Sequence, residues 1–247
     1  MYGTGWIPTP RYRWGSSLGR DAPLAQVPIC EVPTPPDIPL YIELMQFPGW
    51  LETPVEQQGM LPPTGFGGIS QRHGKKPILA AVNGLAVGGG VEVLVNCDMV
   101  ICSPKSVLCL PDVKVGLSLL GGTIPLLVRK IGRSRASDMI FTVRNVKAPE
   151  SLSWGVVDRI VDDPLKATID IARAIAGNSP DAVRVSREGI FMALREGDSF
   201  ELGKQWKDQF WGPVLRSGRN AKEGTDAFVQ KRKPNWDREW EKTVAKL

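Results

Sequence analysis

The sequence predicts an α/β fold, and three observations predict it. Pro77–Val82 is a short apolar run bounded by Lys75-Lys76 and Asn83-Gly84, the form of a buried strand. Three successive glycines, Gly88-Gly89-Gly90, then lead into Val91–Asn96, which the glycine-rich turn marks as a buried helix. Farther on, Asp163-Pro164 and Ser179-Pro180 each place proline at a first helical position.

The other elements follow in order. The proline-rich lead holds twelve of the 21 prolines within residues 1–63. Proline removes backbone donors and biases its neighbours toward extended conformations, so about the first 40 residues read as irregular, with a short strand around Leu40–Leu44. Asp98–Cys102 and Val107–Leu110 read as strands, the second ended by Pro111. Ile124–Ile131 and Ser134–Thr142 read as consecutive helices parted by Gly132, and Val156–Val161 as a strand. Helices are expected from Pro164 to about Ala176, from Pro180 onward, from Phe200 to about Leu215 and from Lys222 to about Lys231. Trp206, Phe210 and Trp211 form an apolar stripe at helical spacing, expected to serve core or subunit packing.

Composition bounds the function. Apolar residues make up 42% and charged residues 23% of 247, the balance of a globular chain with a real core. No apolar run reaches the ~18 residues of a membrane span, and no secretory signal is expected in the first thirty residues. Cys30, Cys97, Cys102 and Cys109 lack metal-site spacing, so reduced thiols in an intracellular compartment are expected. The net charge of +5 suits an anionic partner. Its basic groups are scattered apart from Lys231-Arg232-Lys233, without a stacking platform of alternating aromatics, so a nucleic-acid partner is not expected. His73, the single histidine, sits in a polar basic loop and reads as solvated, which leaves no base for a Ser-His-Asp triad.

The glycine turn carries the chemistry. Glycines allow positive φ and a close ligand approach, and the free N–H groups of a helix start favour an acyl oxygen or a phosphate. The dinucleotide pattern G-x-G-x-x-G fails, because from Gly88 its last position is Val93. The P-loop fails too, because Gly90 stands where lysine is needed after Gly84 and Gly89. Two readings remain on these residues: an oxyanion site with Glu92 about one helical turn away, or a tight strand–helix junction with an incidental glutamate.

The run K-P-I-L-A-A-V-N-G-L-A-V-G-G-G-V-E resembles the crotonase (enoyl-CoA hydratase/isomerase) superfamily. N-C-D-M-V-I, L-P-D-V-K-V-G-L, G-G-T-I-P-L-L-V-R-K-I-G-R-S-R-A, W-G-V-V-D-R-I-V and E-G-T-D-A-F-V-Q-K-R-K-P-N-W are similar as well, in order and at family-like spacing. The likeness covers roughly Thr64–Trp236 and looks closest to fungal peroxisomal enoyl-CoA isomerase/hydratases. It implies a crotonase (ClpP-like) fold of repeated ββα units, with C-terminal helices that pack subunits into a homotrimer or hexamer. The domains expected are a lead over residues 1–63, a crotonase core over 64–178 and a helical oligomerisation region over 179–247.

The resemblance also implies a chemistry. An acyl-CoA thioester is the substrate, CoA arrives as part of it, and no metal or redox cofactor is implied. Its carbonyl is held by backbone N–H groups that stabilise an enolate, with Gly89 as one donor. Glu92 and Asp112 stand where the family has carboxylates that hold a water and move protons, while isomerases shuttle a proton with one. Gly88, Pro111, Leu120, Gly121, Phe228 and Lys231 match substrate-binding positions. For Gly121, which with Gly122 opens a helix whose N-terminus would face the acyl group, packing alone is the competing reading, and for Phe228 and Lys231 it is an ordinary amphipathic helix.

Two departures matter. Hydratases usually carry glutamate where Asp112 stands, so Asp112 acts through a shifted water, marks an isomerase or altered substrate, or merely caps a loop. The family's upstream segment like F-x-A-G-A-D, which completes the oxyanion hole, is absent where the chain reads Gln46-Phe47-Pro48-Gly49-Trp50. The expected fold is therefore abbreviated at its N-terminal part, and a non-catalytic crotonase-fold subunit is the rival reading. Finally, Ala245-Lys246-Leu247 differs from the peroxisomal S-K-L signal by alanine for serine, so a peroxisomal location and import receptor are expected.

Overall fold

The computed structural model describes the strand backbones at residues 27–31 and 40–42, then Ile69, residues 76–119, 121–196 and 218–238, with Gly203, Lys204, Gly212 and Leu215 between. Two compact units divide them, the first holding Ile78–Ile169 and the second running from Asp170.

In the first unit, β1 (Val27–Glu31), β2 (Leu40–Ile42), β3 (Ile78–Val82), β5 (Met99–Cys102) and β8 (Arg159–Ile160) form one sheet in the order β2-β1-β3-β5-β8. A second sheet holds β4 (Leu85–Val87), β6 (Val107–Cys109) and β7 (Val146–Lys147) in that order. Strand β3 runs parallel to β5, and every residue of Ile78–Val82 is buried, as its unbroken apolar run requires. Strand β4 runs parallel to β6, pairing Leu85 with Val107, Ala86 with Leu108 and Val87 with Cys109.

Helix α1 (Gly89–Asn96) buries Val91, Glu92, Val93, Leu94 and Val95 in succession. A helix apolar nearly all round belongs in a core, and Val91, Val93, Leu94 and Val95 cluster with Ile78, Val82, Leu108 and Leu127. Helix α2 (Thr123–Thr142) is two helices, as the sequence predicts, because Gly132 breaks it at φ 80° and ψ 160°. The expected ββα repetition is present as β3–β4–α1 and β5–β6–α2. Cys97, Cys102 and Cys109 are buried thiols, and burial pushes Cys102 up to about 11.

Helix α4 (Pro164–Ala176) starts where predicted, with the Asp163 carboxylate accepting from the Lys166 amide at 2.9 Å. In the second unit, α5 (Pro180–Glu196) and α6 (Arg219–Val229) match expected helices. The residues after α6 are pinned to it. Arg232 pairs with Glu223, and the Asp237 amide donates to Asn220 Oδ1 at 2.7 Å. The Trp236 indole also donates to the Gly177 carbonyl at 2.7 Å.

Three expectations change. The lead is not irregular throughout: Val27–Glu31 is a strand paired antiparallel with Leu40–Ile42, because the dense proline tract begins only at Pro33. The strand read over Val156–Val161 shrinks to Arg159–Ile160, because the Val156 and Val157 amides bond the Ser151 carbonyl at 3.0 and 3.3 Å and so finish the preceding helix. That helix, α3 (Ala148–Trp154), has Pro149 in its first turn and was not foreseen; nor were β4 and β7. Most of the helix expected over 200–215, with Trp206, Phe210 and Trp211, lies outside the described residues, as does His73.

Candidate active site

The site grows from the end of the β4–β6 ladder. One residue past Val87 the chain turns at Gly88, where φ is 51° and ψ is −116°. Side chains rarely adopt that backbone, so the turn needs glycine. The Gly88 amide donates to the Cys109 carbonyl at 2.9 Å, extending the ladder by one bond. On the other strand the chain leaves Cys109 through Leu110 and Pro111 into a 3-10 turn, Asp112–Val115. The Lys114 amide closes that turn on the Pro111 carbonyl at 2.9 Å, and the Leu117 amide bonds the Asp112 carbonyl at 3.0 Å.

This places the Asp112 carboxylate over Gly88. A Cβ on Gly88 would lie 3.6 Å from Oδ2 and 3.8 Å from Oδ1 of Asp112. Glu92 is tied to the same turn: its amide donates to the Gly88 carbonyl at 3.0 Å, and its side chain is buried at 4% exposure. Gly89 takes the first helical position, where an amide has no carbonyl one turn earlier to bind. Gly88 spends its own amide on Cys109, which leaves the first-turn amides of Gly89, Gly90 and Val91 facing out of the helix start, among them the Gly89 donor that the family resemblance implies.

Burial sets the electrostatics. It raises the Asp112 carboxyl above the ordinary aspartate range, against the smaller lowering effect of a backbone hydrogen bond. Asp112 Oδ2 is buried without a hydrogen-bond partner. The Cys109 thiol is likewise raised, chiefly by burial, with Lys114 opposing and Asp112 adding to the shift.

Among the sequence-predicted residues, Gly88, Gly89, Glu92, Pro111 and Asp112 thus meet at one turn. Gly121 is buried just ahead of Gly122, whose left-handed φ of 93° caps α2. Helix α2 packs on α1 and on the 3-10 turn, so its start belongs to the same neighbourhood. Phe228 and Lys231 lie together in the second unit, where the Lys231 amide donates to the Phe228 carbonyl at 3.2 Å. Phe228 is 85% exposed and lines an open cavity of about 470 Å³ with Ala182, Leu215 and Trp236. Leu120 and the tail residues Ala245, Lys246 and Leu247 lie outside the described residues. Among the described residues no acidic, cysteine or histidine cluster could hold a metal ion, and no helix is long and apolar enough to cross a membrane.

Sequence reasoning missed two contributors. One is the Cys109 carbonyl, which no side-chain motif reveals. The other is Ser106, whose hydroxyl bonds the Val82 carbonyl at 2.9 Å and the Gly84 amide at 3.3 Å. Its only signal is a Ser-Pro-Lys-Ser turn between two strand-like runs.

Two carboxylates and a backbone donor around one turn suit proton transfer at a carbonyl-activated carbon. Residues 69–239 match the enoyl-CoA hydratase/isomerase family. The chain is 42% identical over 174 residues to the mevalonyl-coenzyme A hydratase of Aspergillus fumigatus, covering 70% of this chain and 64% of that protein. It is 40% identical over 176 residues to the corresponding hydratase of Beauveria bassiana, covering 70% and 62%. The chain therefore spans less than two-thirds of either hydratase's length. Among solved structures, an enoyl-CoA hydratase from Mycobacterium marinum superposes with a TM-score of 0.65 at 30% identity, covering 72% of each chain. This chain belongs to the enoyl-CoA hydratase/isomerase family, the crotonases.

Proposed function

We propose that the protein adds water reversibly across the double bond of a trans-2-enoyl-CoA thioester. The observation that carries this reading is the Asp112 carboxylate lying over the Gly88 turn, with buried Glu92 in the next helical turn. The thioester oxygen binds the Gly89 amide. One carboxylate takes a proton from water while the water oxygen bonds the β-carbon, and the thioester becomes an enolate held by Gly89. The enolate then reforms the carbonyl as the α-carbon takes a proton from a carboxyl group. Burial favours the protonated form of Asp112, which suits it to that donor role. The reverse sequence removes water from a β-hydroxyacyl-CoA, and the similarity to two mevalonyl-coenzyme A hydratases supports a hydroxylated, branched acyl group.

The short Asp112 side chain favours one competing reaction, migration of the double bond by a single carboxylate that shuttles the proton. The Ala245-Lys246-Leu247 ending supports a peroxisomal location reached through an import receptor, and the C-terminal helices support assembly as a trimer or hexamer. The test is turnover of crotonyl-CoA and a longer enoyl-CoA, followed by loss of the conjugated thioester's ultraviolet absorbance. Glu92→Gln preserves size but cannot exchange a proton as a carboxylate does, so activity should fall at least ~10²-fold. Near-normal turnover by that variant would exclude Glu92 from the chemistry. No turnover by the intact chain of any acyl-CoA would favour the non-catalytic subunit.

A further inference from the structure

We propose that Ser106 is a positioning residue, whose buried hydroxyl sets the register that brings the Gly88–Gly89 turn under the Asp112 carboxylate. The inference rests on the activity proposed above.

Ser106 is 1% exposed and stands one residue before β6. Its hydroxyl donates to the Val82 carbonyl at 2.9 Å, at the end of β3. The same oxygen receives the Gly84 amide at 3.3 Å and the Ser103 amide at 3.2 Å. The Val107 amide returns a bond to the Gly84 carbonyl at 3.1 Å. One hydroxyl therefore ties the exit of β3, the entry of β4 and the entry of β6.

The other end of the same ladder is the reactive one. Both β4 and β6 are three residues long, so only the pairs Leu85–Val107, Ala86–Leu108 and Val87–Cys109 separate Ser106 from the Gly88-to-Cys109 bond. Three residues of strand span about 10 Å, too short a ladder to hold register without an anchor. Gly84 adds to the need for an anchor: at φ 141° it holds a backbone that side chains rarely adopt, and it has no side chain of its own to brace the turn between β3 and β4. Without the Ser106 hydroxyl, the Gly84 amide loses its partner and the β4 entry loosens. The displacement passes straight to Gly88 and Gly89, whose amide must meet the thioester oxygen. A misplacement of ~1 Å there costs about a hundredfold in rate.

The test compares two full-length variants, Ser106→Ala and Ser103→Ala. Ser103 is buried to 2% exposure and its hydroxyl lies 3.0 Å from that of Ser106. Ser103→Ala deletes only the bond between the two hydroxyls, whereas Ser106→Ala also deletes the bonds to the Val82 carbonyl and to the Gly84 and Ser103 amides and should lower thermal stability more. Only Ser106→Ala should raise amide hydrogen exchange at Gly88, by tenfold or more, and only it should lower kcat at least tenfold with KM within twofold of the unaltered chain. Equal Gly88 exchange in the two variants overturns the proposal, and so does faster exchange with unchanged kcat. Should the unaltered chain turn over no acyl-CoA, that failure falls on the proposed activity, and the exchange comparison alone decides the role of Ser106.

Discussion

The Asp112 carboxylate covers the α-carbon of Gly88, its Oδ2 and Oδ1 lying 3.6 and 3.8 Å from where a Cβ would stand. Space exists for a methyl group there, but the backbone does not favour one. A substitution at Gly88 thus separates conformational strain from crowding.

Gly88→Ala should cost up to about 3 kcal/mol, because φ 51° with ψ −116° lies outside the regions that side chains favour. Gly116→Ala is the control: its φ is 76°, ordinary left-handed backbone, and its Cβ would meet nothing within 4 Å. It should cost about 1–2 kcal/mol. Urea melts give both values, and only the Gly88 variant should also lose turnover.

Asp112 should make stability pH-dependent in the direction opposite to a paired carboxylate. Its folded value is raised by burial, so the folded state holds the proton more tightly than the unfolded one. The contribution is fully favourable below the unfolded value of about 3.9 and is lost as pH rises through the raised folded value. Asp112→Asn removes the buried charge. The variant should be more stable than the unaltered chain at pH 7, less active, and no more stable at acid pH. A urea midpoint at pH 7 below that of the unaltered chain would contradict this.

Arg144 should behave in the opposite sense. Its guanidinium contacts Asp138 Oδ2 at 2.6 Å and Glu150 Oε1 at 2.7 Å, and lies 5.0 Å from the Trp154 ring centroid. Those bonds hold both carboxyls below their ordinary values. Lysine cannot grip two carboxylates and a ring at once, so Arg144→Lys should lower the melting temperature at pH 7. The deficit should shrink as pH falls through the depressed values, where the carboxylates of the folded chain take up protons. Calorimetry across that range checks it.

The tail offers a cellular test. Deleting Leu247 should leave a fluorescently tagged chain in the cytosol, and unchanged punctate peroxisomal fluorescence would remove the targeting reading.

Local chemistry made part of this molecule legible. Pro164 and Pro180 announce helix starts, Gly132 splits α2, and the unbroken Ile78–Val82 run announces a buried strand. Strand β4 escaped because three residues between Gly84 and Gly88 are too few for periodicity to register. The pairing of Asp112 with Gly88 was invisible to spacing for a related reason. It depends on the parallel β4–β6 ladder, and only the family likeness put the two residues in one site. Burial of Asp112, and hence its proton affinity, emerges from packing and has no counterpart in the chain's pattern.

The parallel pairing of β5 with β8 also bears on how the chain comes off the ribosome. The Val100 amide bonds the Asp158 carboxylate 58 residues later, and Ile101 pairs with Arg159. Every residue of the Gly88–Asp112 turn is therefore synthesised well before β8, the strand that completes the neighbouring five-stranded sheet. Until Arg159 emerges, the β5 edge stays open and its apolar residues stay uncovered on that side, a window in which pairing with another nascent chain competes with folding.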